Sequence, residues 1–354
     1  MRRVTASQNV QAAKGGVWVS MIFAIQAKRL PGARGKSLAV DVLQPEQREP
    51  GPSLKRQTRI LAVGGGKGGV GKSFVSANLA SVLARAGYRV VAVDADLEGP
   101  NLHTCLGVRT TRVGLPDFVA GREDDLGKLV LETPQPNLQL IAGTHANLDQ
   151  PQPGHRRRVE FLRSVRQLDC DFVLIDLGAG SQTATLDYFL VADEGLLVLQ
   201  PEPTSVENAY AFLRAAFYRR LRLAVLGHGA RNLIRVAMDQ RNELGIQSPL
   251  DLMREIEILD PIEGHRLVET MSSFRPRIII NDVERKEDIK LGFAVASVCK
   301  KYFGIEAEYV GYVNHDGSVR KSVLEGRPLI EYREDSEASS YLQRIARKLI
   351  ESPS

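Results

Sequence analysis

The sequence predicts an open α/β sheet, doubly wound and mainly parallel, and three observations carry that prediction. From Arg59 onward, short β-rich runs alternate with longer amphipathic segments. A glycine-rich stretch, Gly64-Gly65-Gly66-Lys67-Gly68-Gly69-Val70-Gly71-Lys72-Ser73, follows the first run directly and opens the first helical segment. Two later runs end in carboxylates, Asp94 and Asp176, at the strand edge where open α/β sheets hold their ligands.

Seven strands are expected, at Arg59–Val63, Arg89–Val93, Leu138–Ile141, Phe172–Ile175, Glu194–Leu199, Arg277–Asn281 and Glu308–Val313. Several are apolar at successive positions, as strands covered on both faces must be. Ser73 to Ala86 places Val75, Leu79, Val82 and Leu83 on one helical face and stops before Gly87, which tolerates the left-handed turn that ends a helix. Leu221 to Ser273 is longer than one crossover requires and reads as a helical insertion, with Asp251 to Ile258 and Pro261 to Met271 as pieces. A packed insertion and a partner-docking element are both open for it. Near the end, Tyr341, Leu342, Ile345, Leu349 and Ile350 share one side while Arg344, Arg347 and Lys348 face away. That pattern predicts a last core helix, with weak peripheral membrane contact through it or through the N-terminal region as the alternative.

The main domain therefore spans residues 59–351, followed by a short tail, 352–354. Residues 1–58 carry four prolines and no sustained periodicity, and are expected to be mostly disordered. Their run Val17 to Ile25 resembles a short signal core, but it has no clear small-residue cleavage box, and Met21 within it is an equally good start. This region also holds ten Lys or Arg against three acids. Its net +7 leaves the remaining 296 residues at −2, since the whole chain is +5. The basic balance thus belongs to the N-terminal region and gives the body no nucleic-acid footprint. No stretch reaches the roughly 18 apolar residues of a membrane span. Cys105, Cys170 and Cys299 form no C-x-x-C pair, so a disulfide framework, a zinc ribbon and an iron-sulfur cluster are all excluded and a reducing cytoplasm fits.

The glycine-rich stretch contains G-x-x-x-x-G-K-S. Successive backbone N–H groups of Gly66, Lys67, Gly68, Gly69, Val70 and Gly71 can wrap phosphate oxygens closely, while Lys72 and the helix N-terminus supply positive potential. Ser73 is placed to ligate Mg²⁺. Phe172-Val173-Leu174-Ile175 followed by Asp176 is a second phosphate-site pattern, in which the carboxylate holds the water shell of Mg²⁺ and Gly180 lets the backbone approach a γ-phosphate. A purely structural turn would have little use for the second lysine, Lys67.

The string Lys67-Gly68-Gly69-Val70-Gly71-Lys72-Ser73 resembles the deviant Walker A motif of the MinD and ParA group of P-loop ATPases. The resemblance implies ATP and Mg²⁺ as cofactors and a homodimer formed with ATP, in which Lys67 reaches the partner's nucleotide. It also implies that Asp96, the second acid of Asp94-Ala95-Asp96, orients the attacking water, and that Asp94 supports the loop or the metal's water shell. Gln200-Pro201-Glu202-Pro203-Thr204-Ser205, with Ala209-Tyr210 behind it, is similar to a run in FlhG-type regulators of flagellar number. Asn281 is then expected at the adenine. Phe74 stands where many relatives carry a second hydroxyl that touches the α-phosphate, Leu177 and Ala179 alter the usual switch sequence, and Asn314 replaces an adenine-side proline.

The function so implied is an ATP-binding, slowly hydrolysing homodimeric switch. It would set the position or number of a cellular structure (flagellum, cell pole or division site) through an unidentified partner protein. The alternative is a ParA-like ATPase that coats DNA for partitioning, supported locally by Arg156-Arg157-Arg158 and by Arg219, Arg220 and Arg222. DNA is the less favoured partner because each cluster is equally a solvated helix face. A small-molecule kinase or amide ligase on the same fold also stays open.

Overall fold

Along the central strands, neighbouring residues point to opposite cores, as the pleat requires. Ile60 and Ala62 join one hydrophobic cluster and Leu61 and Val63 the other; Val173 and Ile175 are likewise divided from Phe172 and Leu174. Strands buried on both faces need helices on both, and that demand organises the whole molecule. The computed structural model describes residues 58–109, 113–143, 153–238, 246 and 248–351. The expectations for residues 1–57 and 352–354 lie outside the described residues.

In chain order the elements are β1 (Arg59–Gly64), α1 (Lys72–Arg85), β2 (Val90–Ala95), α2 (Leu102–Cys105), α3 (Leu115–Val119), β3 (Val130–Glu132), β4 (Leu138–Ile141), α4 (His155–Val165), β5 (Phe172–Leu177), α5 (Thr183–Val191), β6 (Glu194–Leu199) and α6 (Pro203–Ala224). There follow α7 (His228–Met238), α8 (Pro249–Leu259), α9 (Pro261–Ser272), β7 (Arg277–Val283), α10 (Leu291–Val298), β8 (Glu308–Asn314), α11 (Ser318–Leu324), α12 (Leu329–Tyr332) and α13 (Glu337–Glu351). The eight strands run in the order β3-β4-β2-β5-β1-β6-β7-β8, parallel except for β3, which pairs antiparallel with β4. The order turns back on itself around β1, so the loop after β1 opens at a switch point of the sheet.

All seven expected strands are present. The eighth, β3, is an added edge strand. Helix α1 begins one residue earlier than expected and is buried on nearly every side, because α13 covers the face that turns away from the sheet. The apolar side of α13 is spent there: Leu342, Ile345 and Leu349 are fully buried in the same cluster as α1. The predicted core helix is therefore correct, and that surface is closed to a membrane. No helix among the described residues is long and apolar enough to cross one. Leu221–Ala224 complete the 22-residue α6 and do not open the insertion, whose helices are α7, α8 and α9.

At the N-terminal edge of the sheet four adjacent strands begin with alternating charges. Arg59 and Arg277 both pair with Glu194, and Arg277 Nε continues to Glu308 at 3.1 Å. The Glu194 side chain is only 11% exposed, so its two guanidiniums depend on it for compensation. Glu194→Ala is expected to lower the unfolding free energy in a urea titration by about 3 kcal/mol, whereas a loss under about 1 kcal/mol would mean the ladder behaves as a solvated surface pair.

Candidate functional site

The glycine-rich loop leaves β1 and folds back over the N-terminus of α1. Gly66 passes so close to the first turns of α6 that any Cβ there would overlap the Asn208 carbonyl. Gly71 has φ +91°, a left-handed value that favours glycine, and a side chain would strike Asn281. Gly68 and Gly69 have open space around them. The loop's backbone thus packs on α6 at one end and is uncovered in its middle, where Val70 is buried and anchors it.

Lys72 is buried beneath the loop, its Nζ 3.4 Å from the Lys67 carbonyl. Burial lowers its pKa against the pull of Asp176 and Asp96. The ammonium therefore lacks the anionic partner that full compensation would require. Lys67 lies at the outer rim instead, its Nζ 3.1 Å from Glu202 Oε2 and 3.2 Å from Thr204 Oγ1 at the start of α6. Asn281, at the end of β7, is 8% exposed and donates from Nδ2 to the Val70 carbonyl at 2.9 Å. In this structure it braces the loop.

Asp94 and Asp176 face each other across paired strands at the same register. Asp94 is fully buried, and its oxygens accept from the backbone N–H groups of Asp96 at 3.2 Å and Leu102 at 3.0 Å. These bonds brace the segment that follows β2. Asp176 differs. Its Oδ1 accepts from Ser76 Oγ at 2.9 Å, but Oδ2 is buried with no partner. A buried unpaired carboxylate oxygen is costly, and beside a serine hydroxyl it is a good seat for the water shell of a hard cation. The residues present therefore fit Mg²⁺.

Asp96 sits half-buried against switch residue Gly178, where a Cβ would come within 3.3 Å of Asp96 Oδ1. That oxygen accepts from the N–H groups of Glu98 at 3.2 Å and Gly99 at 2.9 Å, which fixes the turn after β2. Glu98 Oε1 in turn accepts from Gln182 Nε2 at 2.7 Å, so the turn after β2 is tied to the segment after β5. Gly180, with φ +82°, is part of that segment after β5, and Phe74 packs into the core behind the loop. Sequence reasoning missed Ser76, Glu98, Gln182, Glu202 and Thr204 as site residues. Ser76 was legible, because it lies three residues after Ser73 and so shares its helix face.

The arginine clusters are largely consumed by internal contacts. Arg156 bonds Glu160, Arg157 bonds Asp124 and Glu160, and Arg158 and Arg219 converge on Asp187 at 2.7 and 2.8 Å. Arg220 donates to the Thr270 carbonyl and Ser273 Oγ while lying over the Phe274 ring. Arg158, Arg219 and Arg220 thus spend donors on part-buried contacts within the fold, while Arg156 and Arg157 are paired with acids at the surface, which weakens the local support for DNA coating.

Residues 61–329 match the family model described as the CobQ/CobB/MinD/ParA nucleotide binding domain. The chain is 27% identical over 293 residues to the antiactivator FleN of Pseudomonas aeruginosa, covering 82% of this chain and 86% of that one. It is 30% identical over 256 residues to a putative septum site-determining protein MinD of Chlorella vulgaris, covering 71% and 87%. Among solved structures, MinD complexed with Mg-ADP from Pyrococcus horikoshii superposes with a TM-score of 0.55 at 23% identity, over 83% of this chain and 96% of that one.

Burial pushes the Asp176 carboxyl up to about 6 from an ordinary 3.8. Between those values the unfolded chain has released its proton and the folded chain has not, so this group's contribution to stability falls as pH rises through the window. Proton and cation compete for the same carboxyl, so the Mg²⁺-dependent rise in melting temperature with ATP is expected to shrink as pH falls from about 7.5 to about 5. Asp176→Asn should lose that pH dependence and bind Mg·ATP roughly ten- to a hundredfold more weakly in calorimetry.

Proposed function

Because the chain belongs to the CobQ/CobB/MinD/ParA nucleotide-binding family, among the MinD/ParA-type P-loop ATPases and on their FlhG-like side, we propose that it is an ATP-driven dimerisation switch. ATP closes a homodimer, slow hydrolysis reopens it, and a partner protein reads the closed state to set the position or number of a cellular structure. The protein would act in the cytoplasm, with any membrane contact peripheral. Lys67 is the observation that carries this reading. A second lysine at the outer rim of the phosphate loop, held among the described residues by exposed Glu202 and Thr204, is poorly placed for its own loop and well placed for a facing nucleotide.

The remaining residues take their roles from where they stand. The backbone from Gly66 to Gly71 wraps the phosphates, and their charge supplies the anionic partner that buried Lys72 lacks. Ser73 and Asp176 would hold Mg²⁺, which when bound neutralises β- and γ-phosphate charge. Asp96, fixed by its turn and lying against Gly178, orients the attacking water beside the γ-phosphate. Gly180 brings its N–H toward that same group. Asn281 is proposed for the adenine edge, a role in which its bond to Val70 would set its distance from the loop.

Mass in solution by light scattering tests the switch. The native chain should be a dimer with Mg·ATP and a monomer with ADP; Asp96→Ala should keep the dimer, and Lys67→Ala should lose it while still binding ATP. A chain that binds ATP and stays monomeric would defeat the dimer and leave a monomeric transferase on this fold. Glu202→Gln releases Lys67 from its pair, so half-maximal dimerisation is expected at roughly two- to fivefold less ATP, in keeping with the modest strength of exposed ion pairs.

A further inference from the structure

The ladder between β2 and β5 ends at Ala95 opposite Leu177, so Asp96 and Gly178 are the first residues past the last pair. Beyond that point no strand pairing sets the distance between the turn that carries Asp96 and the segment that carries Gly180. A cavity of about 20 Å³, with room for about one water, lies between them and is lined in part by Asp96, Glu98, Gly178, Gln182, Thr185 and Tyr188. Two of these residues tie one side to the other: Glu98 Oε1 accepts from Gln182 Nε2 at 2.7 Å.

The two residue types suit this tie. Gln182 stands at the N-cap of α5 with extended backbone, and its side chain makes no capping bond to that helix; its amide is spent on Glu98 instead. The Glu98 carboxylate is thereby bonded at the positive end of a nine-residue helix, where negative charge is favoured. A charged acceptor also makes the hydrogen bond stronger than one between neutral groups. On the other side, the N–H groups of Glu98 and Gly99 hold Asp96 Oδ1, so the residue that makes the tie also helps to set the Asp96 side chain. The turn fixes Asp96 relative to β2; the tie fixes that turn relative to the segment after β5. Glu98 and Gln182 are both exposed and neither fills the core, so their bond adds little to the stability of the fold.

We propose that Glu98 and Gln182 are positioning residues for ATP hydrolysis: their bond holds the Asp96 turn against the segment from Gly178 to Gly180 and so sets where the attacking water stands relative to the γ-phosphate. The proposal rests on the reading of Asp96 as the residue that orients this water. In the reaction the water oxygen bonds the γ-phosphorus as the bond to the β–γ bridging oxygen breaks, ADP and phosphate are released, and the water's proton ends on phosphate. A misplacement of about 1 Å can slow a step of this kind about a hundredfold. ATP binding, which falls to the loop backbone and Lys72, does not pass through the tie.

Turnover and affinity of the full chain test it when measured separately, as kcat at saturating Mg·ATP and as the Kd of a non-hydrolysable ATP analogue in calorimetry. Glu98→Ala and Gln182→Ala are each expected to lower kcat roughly five- to twentyfold while Kd stays within about twofold, and the double variant should lose no more than either alone. The exchange of Glu98→Gln with Gln182→Glu rebuilds the bond with donor and acceptor reversed and keeps a carboxylate at the start of α5, so kcat should return to within about twofold of the native value. Unchanged kcat in the single variants, additive losses, a loss that the exchange does not recover, or a rise in Kd as large as the fall in kcat would overturn the proposal. Asp96→Ala separates it from the reading beneath it. Hydrolysis at the native rate in that variant would defeat the role of Asp96 and the tie with it, whereas loss of hydrolysis there, beside native rates in Glu98→Ala and Gln182→Ala, would defeat the tie alone.

Discussion

One carboxylate constrains the rest of this molecule. Asp176 ends a strand that is buried on both faces, and one of its oxygens has no partner. A group in that position raises the free energy of the fold, and the fold retains it through what is packed around it. Strands β1 and β2 flank β5 in register, Ser76 bonds the other oxygen, and α1 is pinned from behind by α13. Lys72 is the counterpart, a buried ammonium whose compensation by Asp176 and Asp96 does not offset its desolvation. An anion on the loop and a cation at Asp176 would relieve both costs together.

This arrangement also explains why the neighbouring acids differ in role. Asp94 stands at the same register as Asp176, and two unpaired carboxylates so close would raise each other's pKa sharply. Both oxygens of Asp94 accept from backbone amides, which makes it a brace for the loop that carries Asp96, yet burial and the neighbouring Asp176 still hold its carboxyl well above the ordinary range. Asp96 can then remain half-exposed beside Gly178 because its own turn, and not the core, holds it.

The sequence made most of the fold legible because parallel strands buried on both faces leave an unmistakable run of apolar residues. It could not reveal β3: Val130–Glu132 is three residues long and becomes a strand only through its pairing with β4. The phosphate loop was readable residue by residue, since its demands are local. Pairings across long separations were not. Asp187 lies in the middle of α5, and nothing near it in sequence indicates that Arg158 and Arg219, 29 and 32 residues away, close on it. The same two arginines looked like a nucleic-acid surface when read as runs of charge. Glu194 escaped notice for the same reason, because its partners begin β1 and β7.

Helix α6 connects these observations. Its first turn holds Lys67 through Glu202 and Thr204, its second packs Asn208 against Gly66, its lower half carries Arg219 to Asp187 on α5, and its end is bonded to α9, where Arg266 donates to the Ala224 carbonyl. Helix α5 begins three residues after Gly180 and is bonded to α6 through Asp187, so the segment after β5 and Lys67 are both attached to this one helix. A continuous 22-residue helix transmits a rotation or shift along its whole length, since its hydrogen-bonded turns leave few internal degrees of freedom.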